Sequence, residues 1–132
     1  MSRDGSFRIL GVQHVSLPIE PGGQDLARAF YVDLLRLPEK PVPHTLPQHL
    51  VWVDAGSQEI HLLVEGDAVD LNPRSRRHPC LEVDDVTALR TTLDANGIET
   101  EDEDFRLPGR RRFFARDPFG NLIEFVTFEG GA

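Results

Sequence analysis

The strongest constraint on the fold of this chain is that its second half repeats its first. "HVSLPI" at 14–19 aligns with "HPCLEV" at 78–83, which sets His14 on His78, Leu17 on Leu81 and Ile19 on Val83. "EIHLLV" at 59–64 aligns with "LIEFVT" at 122–127, which sets Ile60 on Ile123, His61 on Glu124 and Leu62 on Phe125. The internal spacing agrees as well: His61 follows His14 by 47 positions, and Glu124 follows His78 by 46. A self-similar pattern of this kind means one supersecondary unit used twice, so it comes before any local motif.

Each copy has the pattern β-α-β-β-β. In the first, "RILGVQHVSLPI" (8–19) is a strand that Pro21-Gly22-Gly23 breaks. Residues 25–37 then place Leu26, Phe30 and Leu34 at helical spacing, with Asp25 at the start and Pro38 at the end. The proline-rich stretch 38–48 is a loop or a broken edge strand. "HLVWVDAG" and "EIHLLVEG" are strands joined at Gly56-Ser57, and the polar stretch 66–77 is a linker. In the second copy, "HPCLEV" is followed by a helix that Asp84 or Asp85 caps. Val86, Leu89 and Leu93 share one face of it, and Gly97 closes it. "IETEDEDF" is an acidic strand or loop. "RRRFFA" and "NLIEFVTF" form a hairpin through Asp117-Pro118-Phe119-Gly120. The expectation is one α+β domain over 1–132, with module one at about 8–65 and module two at about 77–129.

Two copies of one unit pack about a pseudo-twofold axis, so equivalent positions approach each other. The pairs are His14 with His78 and His61 with Glu124, and all four side chains are potential metal ligands. Singly, a histidine in a strand is more often a hydrogen-bonded core residue, and a glutamate there more often faces solvent. The repeat lifts His14, His78 and Glu124 above that reading. His61 has three roles open to it: ligand, pocket wall, or a hydrogen-bond donor to the groups that bind the metal. A cation would also explain a carboxylate inside "GNLIEFVTF", because it balances the charge of Glu124. Trp52 is a candidate to stack on a ligand, or a core residue. Strand alternation sends Arg110 and Arg112 to one face and Arg111 to the other. Cys80 matches Ser16, shares the face of His78, and is expected to be a buried, inert thiol. His44 and His49 are expected in a surface loop or lid.

Composition excludes several partners. The chain has 132 residues, a net charge of −8 and a pI of about 5.0. That balance is wrong for nucleic acid or an anionic membrane, despite the basic runs at Arg74, Arg76 and Arg77 and at Arg110 to Arg112. A single cysteine precludes an intrachain disulfide and fits a reducing compartment. With no apolar signal core near its start, the protein is expected to be soluble, unprocessed and cytoplasmic.

The pieces "HVSLPI", "LARAFYVDLLRL", "EIHLLVE", "HPCLEVDDVTAL" and "RRRFFARDPFGNLIEF" resemble the vicinal oxygen chelate superfamily. That group includes glyoxalase I, bleomycin and fosfomycin resistance proteins and extradiol dioxygenases. The resemblance implies two β-α-β-β-β modules forming a curved mixed sheet around a central metal and substrate cleft. It implies a divalent metal ion (Zn, Ni, Co, Mn or Fe) at His14, His61, His78 and Glu124. Arg112 and Phe114 would lie on the side of Glu124 and bind substrate with Trp52. Glu124 would be the proton shuttle of a glyoxalase-like isomerase, epimerase or lyase acting on a small oxygen-chelating molecule. Two alternatives are an Fe(II)-dependent dioxygenase using His14, His78 and Glu124, and a binding or resistance protein without turnover. The set of three histidines and one glutamate differs from the usual sets of the named activities, which leaves the reaction open. A homodimer is expected, since a curved half-barrel exposes sheet edges. Whether the modules pair within one chain or between chains is left open.

Overall fold

The computed structural model of the chain describes residues 5–65 and 72–130. The first module runs β1 (His14–Ile19), α1 (Gln24–Arg28), β2 (Glu39–Lys40), β3 (Val51–Ala55) and β4 (Gln58–Val64). The second runs β5 (Cys80–Glu82), α2 (Val86–Ala95), β6 (Thr100–Asp102), β7 (Arg110–Arg116) and β8 (Leu122–Phe128). Two mixed four-stranded sheets result, ordered β1-β4-β3-β2 and β5-β8-β7-β6. This is the expected α+β architecture of two repeated modules.

The repeat holds at the level of register. Ser16 lies across from His61 in the parallel pair β1–β4, and Cys80 lies across from Glu124 in the parallel pair β5–β8. On the other side of each, Trp52 lies across from His61 and Phe114 across from Glu124. Because successive side chains alternate between faces, one shared register assigns every face at once. In module one, Ile60, Leu62, Val51 and Val53 are buried on one face, and His61 and Trp52 lie on the other. In module two, Phe113, Ala115, Ile123 and Phe125 are buried, opposite Phe114 and Glu124.

The two buried faces and the helices form one contiguous apolar cluster. Phe113 and Phe125 stack within it, with ring centroids 5.1 Å apart. Each such aliphatic or aromatic side chain contributes about 1.5–3 kcal/mol by leaving water. The opposite faces, which carry the four candidate ligands, point away from this shared core.

Local chemistry explains most boundaries. Asp85 caps α2 by accepting from the backbone N–H of Ala88 at 3.1 Å, and Gly97 follows it with φ 75°. The helix expected over 25–37 is helical only in part as an α-helix. It widens into a π-helical stretch over Ala29–Leu34, where the N–H of Leu35 reaches the carbonyl of Phe30, five residues back. Its core face is Ala27, Phe30 and Tyr31, while Leu26 is half exposed. The first strand begins at His14 rather than Arg8, since β4 offers partners only from Glu59 onward. The proline-rich stretch contributes the two-residue edge strand β2. Of the linker expected over 66–77, residues 66–71 lie outside the described residues, and Asn72–Arg74 form a 3-10 turn.

A polar joint links the modules. Asp117 opens the turn before β8 and is 5% exposed. Its carboxylate accepts from the hydroxyl of Tyr31 (2.5 Å), the side chain of Asn121 (2.9 Å) and the backbone N–H groups of Phe119 and Asn121. Asn121 also donates to the carbonyl of Pro18 at 2.9 Å. Burial raises the pKa of Asp117 against the pull of these donors, and it raises that of Tyr31 well above its ordinary value. Among the described residues, no helix is long and apolar enough to cross a membrane.

Candidate metal and substrate site

On the outer face of module one, three rings stack. Trp52 and His61 are 3.9 Å apart with planes within 3°, and His61 and His14 are 4.0 Å apart at 21°. Cross-strand pairing puts Trp52 against His61, and the parallel register brings β1 alongside. His61 is held further by a 2.8 Å contact from Nε2 to Glu59 Oε1. Lys40 lies 2.5 Å from the other oxygen of Glu59, and these two partners, Lys40 first, lower the pKa of Glu59 to about 2. His14 is exposed, with Gln13 as its hydrogen-bond neighbour at 2.7 Å.

On the outer face of module two, Glu124 is partly buried between His78 and Arg112. Its Oε1 lies 3.1 Å from His78 Nε2 and its Oε2 3.4 Å from Arg112 Nη1. His78 Nδ1 is 2.8 Å from the carbonyl oxygen of Arg76. Arg112 also lies 2.8 Å from Glu103 Oε2 through Nε, in an ion pair without hydrogen-bond alignment, and it donates to the carbonyl of Phe105. Its guanidinium sits over the ring of Phe114, whose edge meets His78. Arg112 and Phe114 thus lie on the side of Glu124, but Arg112 is committed to two carboxylates rather than free.

Arg110 shares that face. It stacks over Phe128, and its Nε is buried without a hydrogen-bond partner among the described residues. Arg111, on the other face, donates to Thr87. Cys80 corrects an expectation: its residue is exposed rather than buried. Loss of water around the thiol, followed by the charge of Glu124, pushes its pKa up to about 12, so it holds its proton at neutral pH. His44 and His49 are exposed in the loop before β3.

The four candidate ligands therefore fall into two pairs, His14 with His61 and His78 with Glu124. Among the described residues, no group of three or more His, Cys, Asp or Glu side chains is arranged to hold a metal ion. The geometry of the first pair has a consequence. A metal lies near the plane of each imidazole that binds it, at about 2.0–2.1 Å from nitrogen. Ring planes 4.0 Å apart at 21° meet only on the order of 10 Å away, so His14 and His61 cannot hold one ion in this arrangement.

The second pair has a different property. Both nitrogens of His78 face oxygen acceptors, a carbonyl and a carboxylate. A neutral imidazole has one N–H, so one of those contacts requires a proton or a cation between the partners. The donor set suits a divalent ion of borderline hardness. The sequence repeat did not reveal Glu59 and Glu103. The visible sign was only an acidic residue two positions from His61 in one case and one inside an acidic run in the other.

The chain belongs to the Glyoxalase/Bleomycin resistance protein/Dioxygenase superfamily, whose family model matches residues 12–125. Among solved structures, it is similar to a protein from Bacillus anthracis assigned to the glyoxalase family. The identity is 36%, 94% of this chain and 99% of that one are covered, and the TM-score is 0.83. It is also similar to lactoylglutathione lyase from Agrobacterium tumefaciens, at 25% identity over 91% of this chain and 95% of that one, with TM-score 0.67. The fosfomycin resistance protein FosX from Listeria monocytogenes, solved with Mn(II) and sulfate, shares the fold. Its TM-score is 0.74 at 17% identity, covering 93% and 94% of the two chains. No protein of curated function matches the chain in sequence.

Proposed function

We propose that this protein is a divalent-metal-dependent enzyme of the glyoxalase-like class, acting as an isomerase, epimerase or lyase on a small molecule with two neighbouring oxygens. One observation carries the reading: His78 has acceptors at both ring nitrogens, one of them Glu124, which an added cation would reconcile. His14, His78 and Glu124 are the proposed ligands. His61, stacked between Trp52 and His14 and tied to Glu59, is their support rather than a fourth ligand. A bound divalent ion would supply a Lewis acid that stabilises negative charge developing on the substrate oxygens.

The chain's own residues do the rest. Glu124 is the group to accept and return a proton, with Arg112 on its second oxygen holding its orientation. Phe114 and Trp52 wall the cleft. Arg110, with Nε lacking an acceptor among the described residues, is the cation available to an acidic substrate group. Because the ligand-bearing faces point away from the shared core, we propose that a second copy brings the His14 face of one chain to the Glu124 face of the other.

Elemental analysis of protein purified without chelator tests this reading. Ni, Co, Zn or Mn near one ion per chain, with a raised melting temperature on addition, is the expected result. Iron with loss of function on oxidation would move the reading to a dioxygenase. If no metal is found and no added metal shifts the melting temperature, the enzyme reading fails and a small-molecule binder remains.

A further inference from the structure

Arg110, Arg111 and Arg112 open β7, and two of them have polar partners. Arg112 pairs with Glu103 and Glu124, and Arg111 donates to Thr87. Arg110 is partly buried and makes no hydrogen bond or ion pair among the described residues. Its Nε is closed off from solvent with no acceptor. The guanidinium carbon rests 4.8 Å from the ring centroid of Phe128, and Phe128 is 40% exposed. A charged N–H taken out of water without an acceptor is costly, so a group left in that state calls for a partner from outside the chain's own fold.

Register says where that partner lies. Alternation along β7 and β8 puts Arg110, Arg112 and Phe114 on the same face as Glu124, Val126 and Phe128. Glu124 lies across from Phe114, and Phe128 across from Arg110. The two pairs are therefore separated by on the order of 13 Å at the rise of a strand. Phe128 holds the Arg110 guanidinium at the far end of this track, while Arg112 turns to Glu124. Held there, Arg110 is too distant to share the metal-bound oxygens of a compact ligand.

We infer that the substrate of the proposed metal site is an elongated oxyanion. Two neighbouring oxygens at one end go to the metal. A separate carboxylate or phosphate at the other end, on the order of 10 Å away, sits in the fork of Arg110. That span is roughly three residues' length of extended chain. Phe114, Val126 and Phe128 line the track between the ends, so the connecting portion is apolar or aromatic. The inference rests on the metal reading of His78 and Glu124, and adds the length and charge of the substrate to it. It excludes simple 2-oxo and 2-hydroxy acids, whose one carboxylate would lie at the metal.

Hydroxamates bind metals through two neighbouring oxygens, so a graded set of them, titrated calorimetrically into the zinc-loaded full chain, tests the inference. The set is acetohydroxamate, the monohydroxamates of succinic and suberic acid, and the methyl ester of the suberic compound. The suberic acid should bind at least about tenfold tighter than its ester and than the shorter succinic acid, and Arg110→Gln should remove both advantages. Arg110→Lys keeps the charge without the planar fork, so it should retain part of the advantage, and it serves where the glutamine variant fails to fold. If acetohydroxamate binds but the suberic acid is no tighter than its ester, the inference is overturned and the metal reading stands. An advantage that survives Arg110→Gln also overturns it. So does an Arg110→Gln variant that weakens self-association in sedimentation while the parent shows no charge preference, since Arg110 would then serve a carboxylate of a second copy. No binding of any hydroxamate removes the metal reading and the inference together.

Discussion

His61 lies flat against Trp52, with ring centroids 3.9 Å apart and planes within 3°. Trp52 is the only tryptophan in the chain, so its emission reports on this stack alone. If His61 supports the site without binding metal, His61→Gln should change Trp52 emission and weaken metal binding by no more than about 10–100-fold, the range for groups around a ligand shell. Glu124→Gln removes the anionic ligand and should weaken binding further still. Isothermal titration with Mn or Zn makes the comparison. Equal losses in the two variants would make His61 a ligand and sink the three-ligand reading.

The Tyr31–Asp117 hydrogen bond joins helix to hairpin across the modules. Tyr31→Phe leaves a buried carboxylate short of one donor and should cost about 1–3 kcal/mol at neutral pH, measured by urea titration. The pH dependence follows from direction. Burial and the neighbouring Asp117 raise the folded-state pKa of Tyr31 above 10. As pH climbs past 10 the unfolded chain loses this proton first, the folded state binds more protons, and stability falls. Tyr31→Phe should remove that part of the alkaline decline. An unchanged slope above pH 10 would show that Tyr31 ionises equally in both states.

Gly120 and Gly97 both have positive φ, 85° and 75°. A Cβ on Gly97 would meet nothing within 4 Å, whereas one on Gly120 would lie 2.9 Å from the backbone nitrogen of Pro73. Gly97→Ala therefore costs backbone strain alone, about 1 kcal/mol. Gly120→Ala adds a clash between the turn and the chain entering module two, for about 2–4 kcal/mol in total. Matching denaturation midpoints for the two variants would refute the close approach.

The sequence repeat revealed the face of Glu124 because period-two alternation and a shared register determine side-chain direction without any knowledge of contacts. The equivalence of Ser16 with Cys80 and of His61 with Glu124 follows from the alignment alone. What it missed depends on three-dimensional neighbours. Asp117 in a Pro-Phe-Gly turn is ordinary turn chemistry, and nothing local shows that its carboxylate is the buried acceptor for Tyr31, 86 residues earlier. Residues 8–12 have strand composition, but a strand needs a partner, and none pairs with them among the described residues. The stacking of His14 on His61 was equally out of reach, since it depends on ring orientation rather than position.

Arg112 and a metal ion would compete for Glu124. In the structure Arg112 is partly buried and serves both Glu124 and Glu103, so Arg112→Leu strands two carboxylates in poorly solvated surroundings. Without metal this should lower stability by about 2–3 kcal/mol. A divalent ion gives Glu124 a new counter-charge, so metal should raise the melting temperature more in Arg112→Leu than in the parent, and should bind it at least as tightly. Thermal melts with and without Zn or Mn, paired with titration calorimetry, compare the two. A metal-induced shift smaller in the variant than in the parent would mean that Arg112 helps to build the metal site rather than stand in for its charge.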